Sequence, residues 1–216
     1  MSLPVKFRRR LWDSMRLHPV WLPGESLVPG DVLSYRGGVL SKVSSLKSFG
    51  VAFTTQRALE TGGVCMQARG VSMHVTQAGA RVRPAELDLD AHAELEVGFR
   101  RADTYFIRTP SLTGESISDL LEVGKQLRCH STWDCRRFFL ASTVYTAEGF
   151  TFLGSLNAGS AIRFAGRGKA ISGFLLAGGA AGVSSRSATG IAVEIIGGKG
   201  PVAMRAVRFR RDGSLW

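Results

Sequence analysis

"AISGFLLAGGAAGVSSRSATGIAVEII" occupies residues 170–196, and from Ala170 to Val193 its one charge is Arg186. The stretch is too apolar for an ordinary surface loop, and each glycine would cost about 1 kcal/mol in a helix interior. A phosphate-cradling loop is excluded as well. The pattern G-x-x-x-x-G-K-[ST] that such a loop requires is met neither by "GRGKAIS" (166–172) nor by "GGKGP" (197–201). What remains is a hairpin with "AISGFLLAGGAAGV" and "ATGIAVEII" as arms and "SSRS" as a polar tip. It has two readings: a sandwich hairpin buried in a core, or a hairpin that enters lipid. Both belong to a β-rich chain.

The flanking sequence agrees. Residues 64–75, "VCMQARGVSMHV", alternate apolar and polar with a phase slip at Gly70, which predicts a strand with a bulge. In "AELEVGF" (93–99), Ala93, Leu95, Val97 and Phe99 share one face and Glu94 and Glu96 the other, as in a half-buried strand. "TYFIRT" (104–109) predicts another strand. "RRFFLASTVYTAEGFTFLGS" reads as two strands joined at Ala147-Glu148-Gly149. A second pair, 188–196 and 201–210, surrounds "GGKGP". Pro23-Gly24 and Pro29-Gly30 mark turns.

Two helices stand out. Over residues 4–17, Phe7, Leu11, Trp12 and Met15 fall on one side, and Lys6, Arg9, Arg10 and Arg16 fall mostly on the other. That pattern suits an interfacial membrane helix and equally a terminal helix packed on the domain. In "SISDLLEVGKQL" apolar residues recur at helical spacing, and Ser116 is the expected N-cap. With no fixed-period repeat and no linker, the chain reads as a single α+β domain over residues 1–216. The sheet is expected to be mostly antiparallel, with a few peripheral helices.

The formal charge is +11, with a sequence pI of about 10.4, which points to an anionic partner rather than to a fold. Arginines outnumber lysines 22 to 6. That suits phosphate recognition, although an Arg-rich codon preference leaves the same mark. Residues 1–83 are net +8, 84–122 net −6, 123–148 net +2 and 149–216 net +7. Three cysteines, Cys65, Cys129 and Cys135, are too few for a disulfide scaffold and predict a reducing cytoplasm. The N-terminus lacks the apolar core of a signal peptide, Ser2 stands where myristoylation needs Gly, and no run of about 20 apolar residues makes a spanning helix.

No enzyme constellation emerges. His18, His74, His92 and His130 are scattered, and "CHSTWDC" (129–135) lacks the spacing and the second half of a zinc site, so no metal or other cofactor is expected. Glu94 and Glu96 read as surface charge. Nucleic acid is disfavoured, because the basic total comes without an aromatic pair on a strand, a helix-turn-helix pattern or a zinc finger.

The segment "RRFFLASTVYTAEGFTF" followed by "AVEIIGGKGPVAMRAVRFRRDG", with "VWLPGESLVPGDVL" near the start, resembles the pore-forming domain of bacterial gasdermins. The resemblance covers about 80 residues. It implies a twisted sheet domain with peripheral helices that binds anionic membranes, forms homo- or hetero-oligomers and extends β-hairpins through the bilayer. It further implies cell death in antiphage defence or a similar response. The protein would be cytoplasmic when inactive and at the inner face of the cell membrane when active. On this resemblance Arg8, Arg9, Arg10, Trp12, Arg208, Arg210 and Arg211 are the candidates for anionic lipid. Phe174, Leu175, Leu176, Ser184, Ser185, Arg186 and Ile191 belong to the candidate inserting hairpin. Two departures stand out: the first cysteine is Cys65, far from the usual N-terminal lipidation site, and no separate C-terminal inhibitory domain is expected. Either a protease or a regulatory partner then exerts control, or the chain is a relative with another role. The alternative is a soluble basic β-rich module binding a nucleic acid or protein partner.

Overall fold

The computed structural model describes residues 2–128, 130–177 and 183–215; within these, the side chains of 58–61, 177, 185 and 186 are not described. Three helices and twelve strands are present among the described residues. They are α1 (Leu3–Met15), β1 (His18–Pro19), β2 (Asp31–Arg36), β3 (Val39–Ser45), β4 (Thr55–Gln67), β5 (Val71–Gln77) and β6 (Ala80–Val82). There follow β7 (His92–Phe99), β8 (Thr104–Ile117), α2 (Leu120–Arg128), β9 (Phe139–Ser155), β10 (Ser160–Arg167), α3 (Gly168–Ala177), β11 (Val183–Thr189) and β12 (Ile191–Val207). The architecture is α+β and mostly antiparallel. One sheet runs β1-β12-β9-β2-β3 with β8 paired to β9 and β4 to β8; the other runs β11-β10-β7-β5-β6.

The chain divides into two compact units. Unit 1 takes residues 1–6, 62–111 and 147–199; unit 2 takes 7–61, 112–146 and 200–216.

Unit 1 is built around β7. Its alternation places Ala93, Leu95, Val97 and Phe99 in the core, all nearly fully buried. Val97 sits opposite Met73 on β5 and Ile162 on β10, so neighbouring strands present their apolar faces in register. On the other face Glu96 meets Arg163 at 2.7 Å, so this carboxylate is cross-strand surface charge, as expected. Helix α3 closes the core: the Phe174 ring lies 4.8 Å from Phe164, and Ile171 and Leu175 bury beside it. Its entry is tight. A Cβ on Gly168 would come 2.0 Å from the Asp88 carbonyl, which only glycine tolerates.

Unit 2 holds two clusters. Val123 and Leu127 of α2 pack with Val32, Leu46, Leu140 and Phe209; Val20, Leu27, Leu33, Leu40, Val144 and Met204 form the second. Asp31 is buried at the start of β2. Its carboxylate takes the Lys42 ammonium at 2.9 Å and the Val28 N–H at 3.0 Å, so the charge is paired rather than stranded.

Several local expectations are corrected. Residues 168–177 form a helix instead of a hairpin arm, and "SSRS" lies inside β11, which pairs with β10, instead of at a tip. Ile171, Phe174 and Leu175 recur at i, i+3 and i+4, and burial of that face outweighs the glycine cost. The sharp change of direction falls at Gly190 (φ 68°), where the Ser160 hydroxyl donates to the Gly190 carbonyl at 3.0 Å. The glycine run at 178–182 lies outside the described residues.

The predicted turn at 147–149 is the middle of the 17-residue β9, and "GGKGP" lies within the equally long β12. Gly197 (φ 65°) and Gly200 (φ 128°) take up irregularities inside that strand instead of reversing it. Glu148 and Lys199, one from each supposed turn, pair at 3.5 Å. Gly70 (φ 94°) is a true turn between β4 and β5, not a bulge. Finally, α2 is capped by Asp119, whose carboxylate accepts from Glu122 N–H at 2.9 Å, while Ser116 belongs to β8.

Candidate functional site

The candidate site lies in unit 2, which carries 16 Lys/Arg against 9 Asp/Glu. All seven residues expected to meet anionic lipid fall in this unit. Those of the expected inserting hairpin fall in unit 1.

Helix α1 supplies one part. Phe7 and Leu11 are buried, whereas Trp12 is 41% exposed and Arg9 and Arg10 are exposed. Thus Trp12 leaves the apolar side expected of it and shares the outward side with the arginines. Arg9 pairs loosely with Asp13 at 3.9 Å, which counts for little in water. The Trp12 ring is held between two partners, the Arg16 guanidinium at 5.7 Å and the His18 ring at 4.9 Å. Burial, and secondarily the charge of Arg8, pull the His18 pKa down to about 4, so this imidazole is neutral at pH 7.

Arg8 reaches a second part. Its guanidinium lies 5.5 Å over Tyr35; Tyr35 meets Phe139 edge-on at 5.2 Å; Arg208 lies 4.9 Å over Phe139. Two cations far apart in sequence therefore bracket one aromatic pair. Arg208 also donates to the Cys135 carbonyl at 3.3 Å and to the Arg136 carbonyl, which ties the strand end to the 130–137 loop.

Around this ladder lie two clefts that share Arg136. One, of about 430 Å³, is lined by Tyr35, Arg36, Arg136, Arg137, Phe139 and Arg208, with Ser34. The other, of about 570 Å³, is bounded by residues 127–128 and 130–136 on one side and by Arg210 and Arg211 on the other. Its aromatic support is Trp133, whose ring sits 5.7 Å from Phe49, 5.6 Å from Phe138 and 6.4 Å from Phe209. Seven arginines line the two clefts against one carboxylate, Asp134.

Glycine lets the segment that carries Arg210 and Arg211 close onto α2. A Cβ on Gly124 of α2 would come 2.1 Å from the Gly213 carbonyl, and one on Gly213 would come 2.6 Å from the Gly124 carbonyl. The 210–215 turn is thus pressed directly onto the helix. It is closed by Gly213 N–H to the Arg210 carbonyl at 3.0 Å and by the Phe209–Leu215 bridge. Asp212 in this turn accepts from the Ser214 hydroxyl at 2.7 Å and from its N–H at 2.9 Å, which holds its carboxyl below the usual range.

No family model matches the chain, and no curated protein sequence does. Solved structures similar to it include two gasdermins. A bacterial gasdermin from Bradyrhizobium tropiciagri is 13% identical, with a TM-score of 0.36, over 96% of this chain and 88% of its own. The gasdermin A3 membrane pore is 11% identical, with a TM-score of 0.37, over 97% of this chain and 90% of its own.

The structure places Arg8 and Arg208 in one ladder and Arg210 and Arg211 on one cleft wall, while Arg9 and Arg10 stand out on α1 without joining either. The sequence reading missed Arg36, Arg128, Arg136 and Arg137, whose grouping depends on three separate elements meeting. Of the expected hairpin, Phe174 and Leu175 are core residues, Leu176 is 73% exposed, Ser184 is exposed and Ile191 is half-buried. The side chains of Ser185 and Arg186 lie outside the described residues. No group of three or more His, Cys, Asp or Glu able to hold a metal occurs among the described residues. No described helix is long and apolar enough to cross a membrane.

Proposed function

We propose that this chain is a gasdermin-like, membrane-permeabilising protein that acts as one pore-forming domain. Its basic face seats on anionic lipid at the inner face of the cell membrane, copies then oligomerise, and β-strands cross the bilayer as a closed barrel. The observation that supports this reading is the solvent side of α1, which exposes Trp12 together with Arg9 and Arg10 on the more basic unit. An indole at the headgroup level flanked by cations is the chemistry of an interfacial anchor, and each well-placed Lys or Arg contributes about 1 kcal/mol on an acidic surface.

The strands have the reach. A tilted strand of about 9–11 residues spans the hydrocarbon, and β9 and β12 have 17 each. The insertion candidates around 174–191 have to rearrange, because Phe174 and Leu175 must leave the unit 1 core and α3 must unwind before their segment pairs as a strand. A regulatory partner or protease supplies the trigger, and the cell death that follows serves antiphage defence or a similar response. Dye release from anionic liposomes tests the proposal. Leakage from anionic but not zwitterionic vesicles is expected, and an absence of leakage at every concentration, with or without protease, overturns it.

The arginine-lined clefts favour a second reading, a soluble basic module binding nucleic acid through its phosphates or an acidic protein partner. A salt-sensitive gel shift without any affinity for liposomes would select it over the first.

A further inference from the structure

The larger cleft poses a separate electrostatic problem. Arg128, Arg136, Arg210 and Arg211 converge on a recess of about 570 Å³, a size suited to a small organic ligand. Like charges gathered around one recess repel. The one lining carboxylate does little to offset them, because Asp134 Oδ1 already accepts the Arg136 N–H at 2.9 Å and the Arg137 N–H at 3.3 Å. Arg128, Arg136 and Arg211 make no ion pair among the described residues. Asp212 lies in the same turn and its carboxylate, bonded to Ser214, also feels the charge of Arg210, but it does not line the recess and leaves Arg128, Arg136 and Arg211 unoffset.

The walls are fixed rather than trailing. The 130–137 loop is closed by Trp133 N–H to the His130 carbonyl at 3.1 Å and Phe138 N–H to the Asp134 carbonyl at 2.9 Å. The opposite wall is pressed onto α2 at Gly124. Guanidinium groups present paired donors that match phosphate oxygens bidentately. A single monovalent anion leaves most of these four arginines without a partner. A small scaffold carrying several phosphates offers acceptors to arginines of both contributing segments at once.

We propose that the cleft formed by Arg128, Arg136, Arg210 and Arg211 is a binding site for a compact anion bearing two or more closely spaced phosphates. Such a group occurs in soluble polyphosphorylated metabolites and in polyphosphorylated lipid headgroups, and the recess recognises the chemistry common to both. The site does not depend on the membrane reading, since a folded chain offers it with or without a bilayer.

Titration calorimetry at physiological ionic strength, with inositol hexakisphosphate and inorganic triphosphate as probes, tests the proposal. Saturable binding is expected, with inorganic monophosphate and sulfate much weaker. Arg128→Gln and Arg211→Gln each weaken it about tenfold or more, one bidentate contact being lost in each. The charge-matched control Arg69→Gln/Arg81→Gln, on exposed residues of unit 1, leaves it within about twofold. Circular dichroism and thermal melting establish that every variant is folded. A second arm measures flotation with vesicles containing bis-phosphorylated phosphoinositide. Binding to vesicles alone, lost in the same two variants, assigns the anion to a lipid; soluble binding assigns it to a metabolite. Equal response to monophosphate and polyphosphate, or equal loss in the control, overturns the proposal. Liposome leakage measured in parallel keeps its failure separate from failure of the pore reading.

Discussion

At the residue scale, the informative positions are those where one atom decides the geometry. Gly124 lets the 210–215 turn reach α2, and an added Cβ would stand 2.1 Å from a carbonyl oxygen. Gly124→Ala is expected to destabilise the protein by about 1–3 kcal/mol through forced separation of the two segments, read as a lower thermal midpoint. His18 offers a titration. Its folded pKa of about 4 lies below the ordinary 6.5, so the stability involved is fully present above pH 6.5 and is lost as pH falls towards 4. Because the ring is partly exposed, the loss is on the order of 1–3 kcal/mol. Urea denaturation at stepped pH should show it, and His18→Gln should flatten that part of the profile.

Elements show how packing outranks local propensity. Helix α3 forms in a glycine-containing stretch because Ile171, Phe174 and Leu175 find the unit 1 core. Phe174→Ala is therefore expected to cost about 3–5 kcal/mol, while Leu176→Ala, at an exposed position, should stay within about 0.5 kcal/mol. Equilibrium unfolding of both variants gives the contrast, and equal costs would contradict the placement of α3. On α1 the same logic separates anchors from core. Trp12→Ala combined with Arg9→Gln and Arg10→Gln should weaken flotation with anionic vesicles by at least tenfold and leave the melting temperature nearly unchanged. Phe7→Ala should unsettle the fold instead, since that ring is fully buried.

For the whole molecule, charge is the governing quantity. Unit 2 carries net +7 and unit 1 net +4, so the attraction to an acidic surface is uneven between them. Membrane binding through exposed arginines is screened as the Debye length falls from about 10 Å at 0.1 M salt to 3 Å at 1 M. Vesicle binding is expected to drop steeply over that range, and binding that survives high salt would mean that apolar insertion, not charge, holds the protein.

Much of the fold was legible in the sequence, for identifiable reasons. The α+β class, the strand at 93–99 and the N-terminal helix follow from period-2 and period-3.6 patterns, which depend only on backbone geometry. The basic excess is likewise a property of composition. Strand ends and partners were not legible. Glycines at 149, 197 and 200 signal turns locally, yet β9 and β12 run straight through them, because hydrogen bonds to neighbouring strands are absent from any local window. The arginine clefts were hidden for the same reason: Arg36, Arg128, Arg136 and Arg211 come from distant stretches. The sequence by itself determined which residue types are present and how they alternate. Only the tertiary structure decided which segments meet, since burial and long-range pairing are summed over the whole chain.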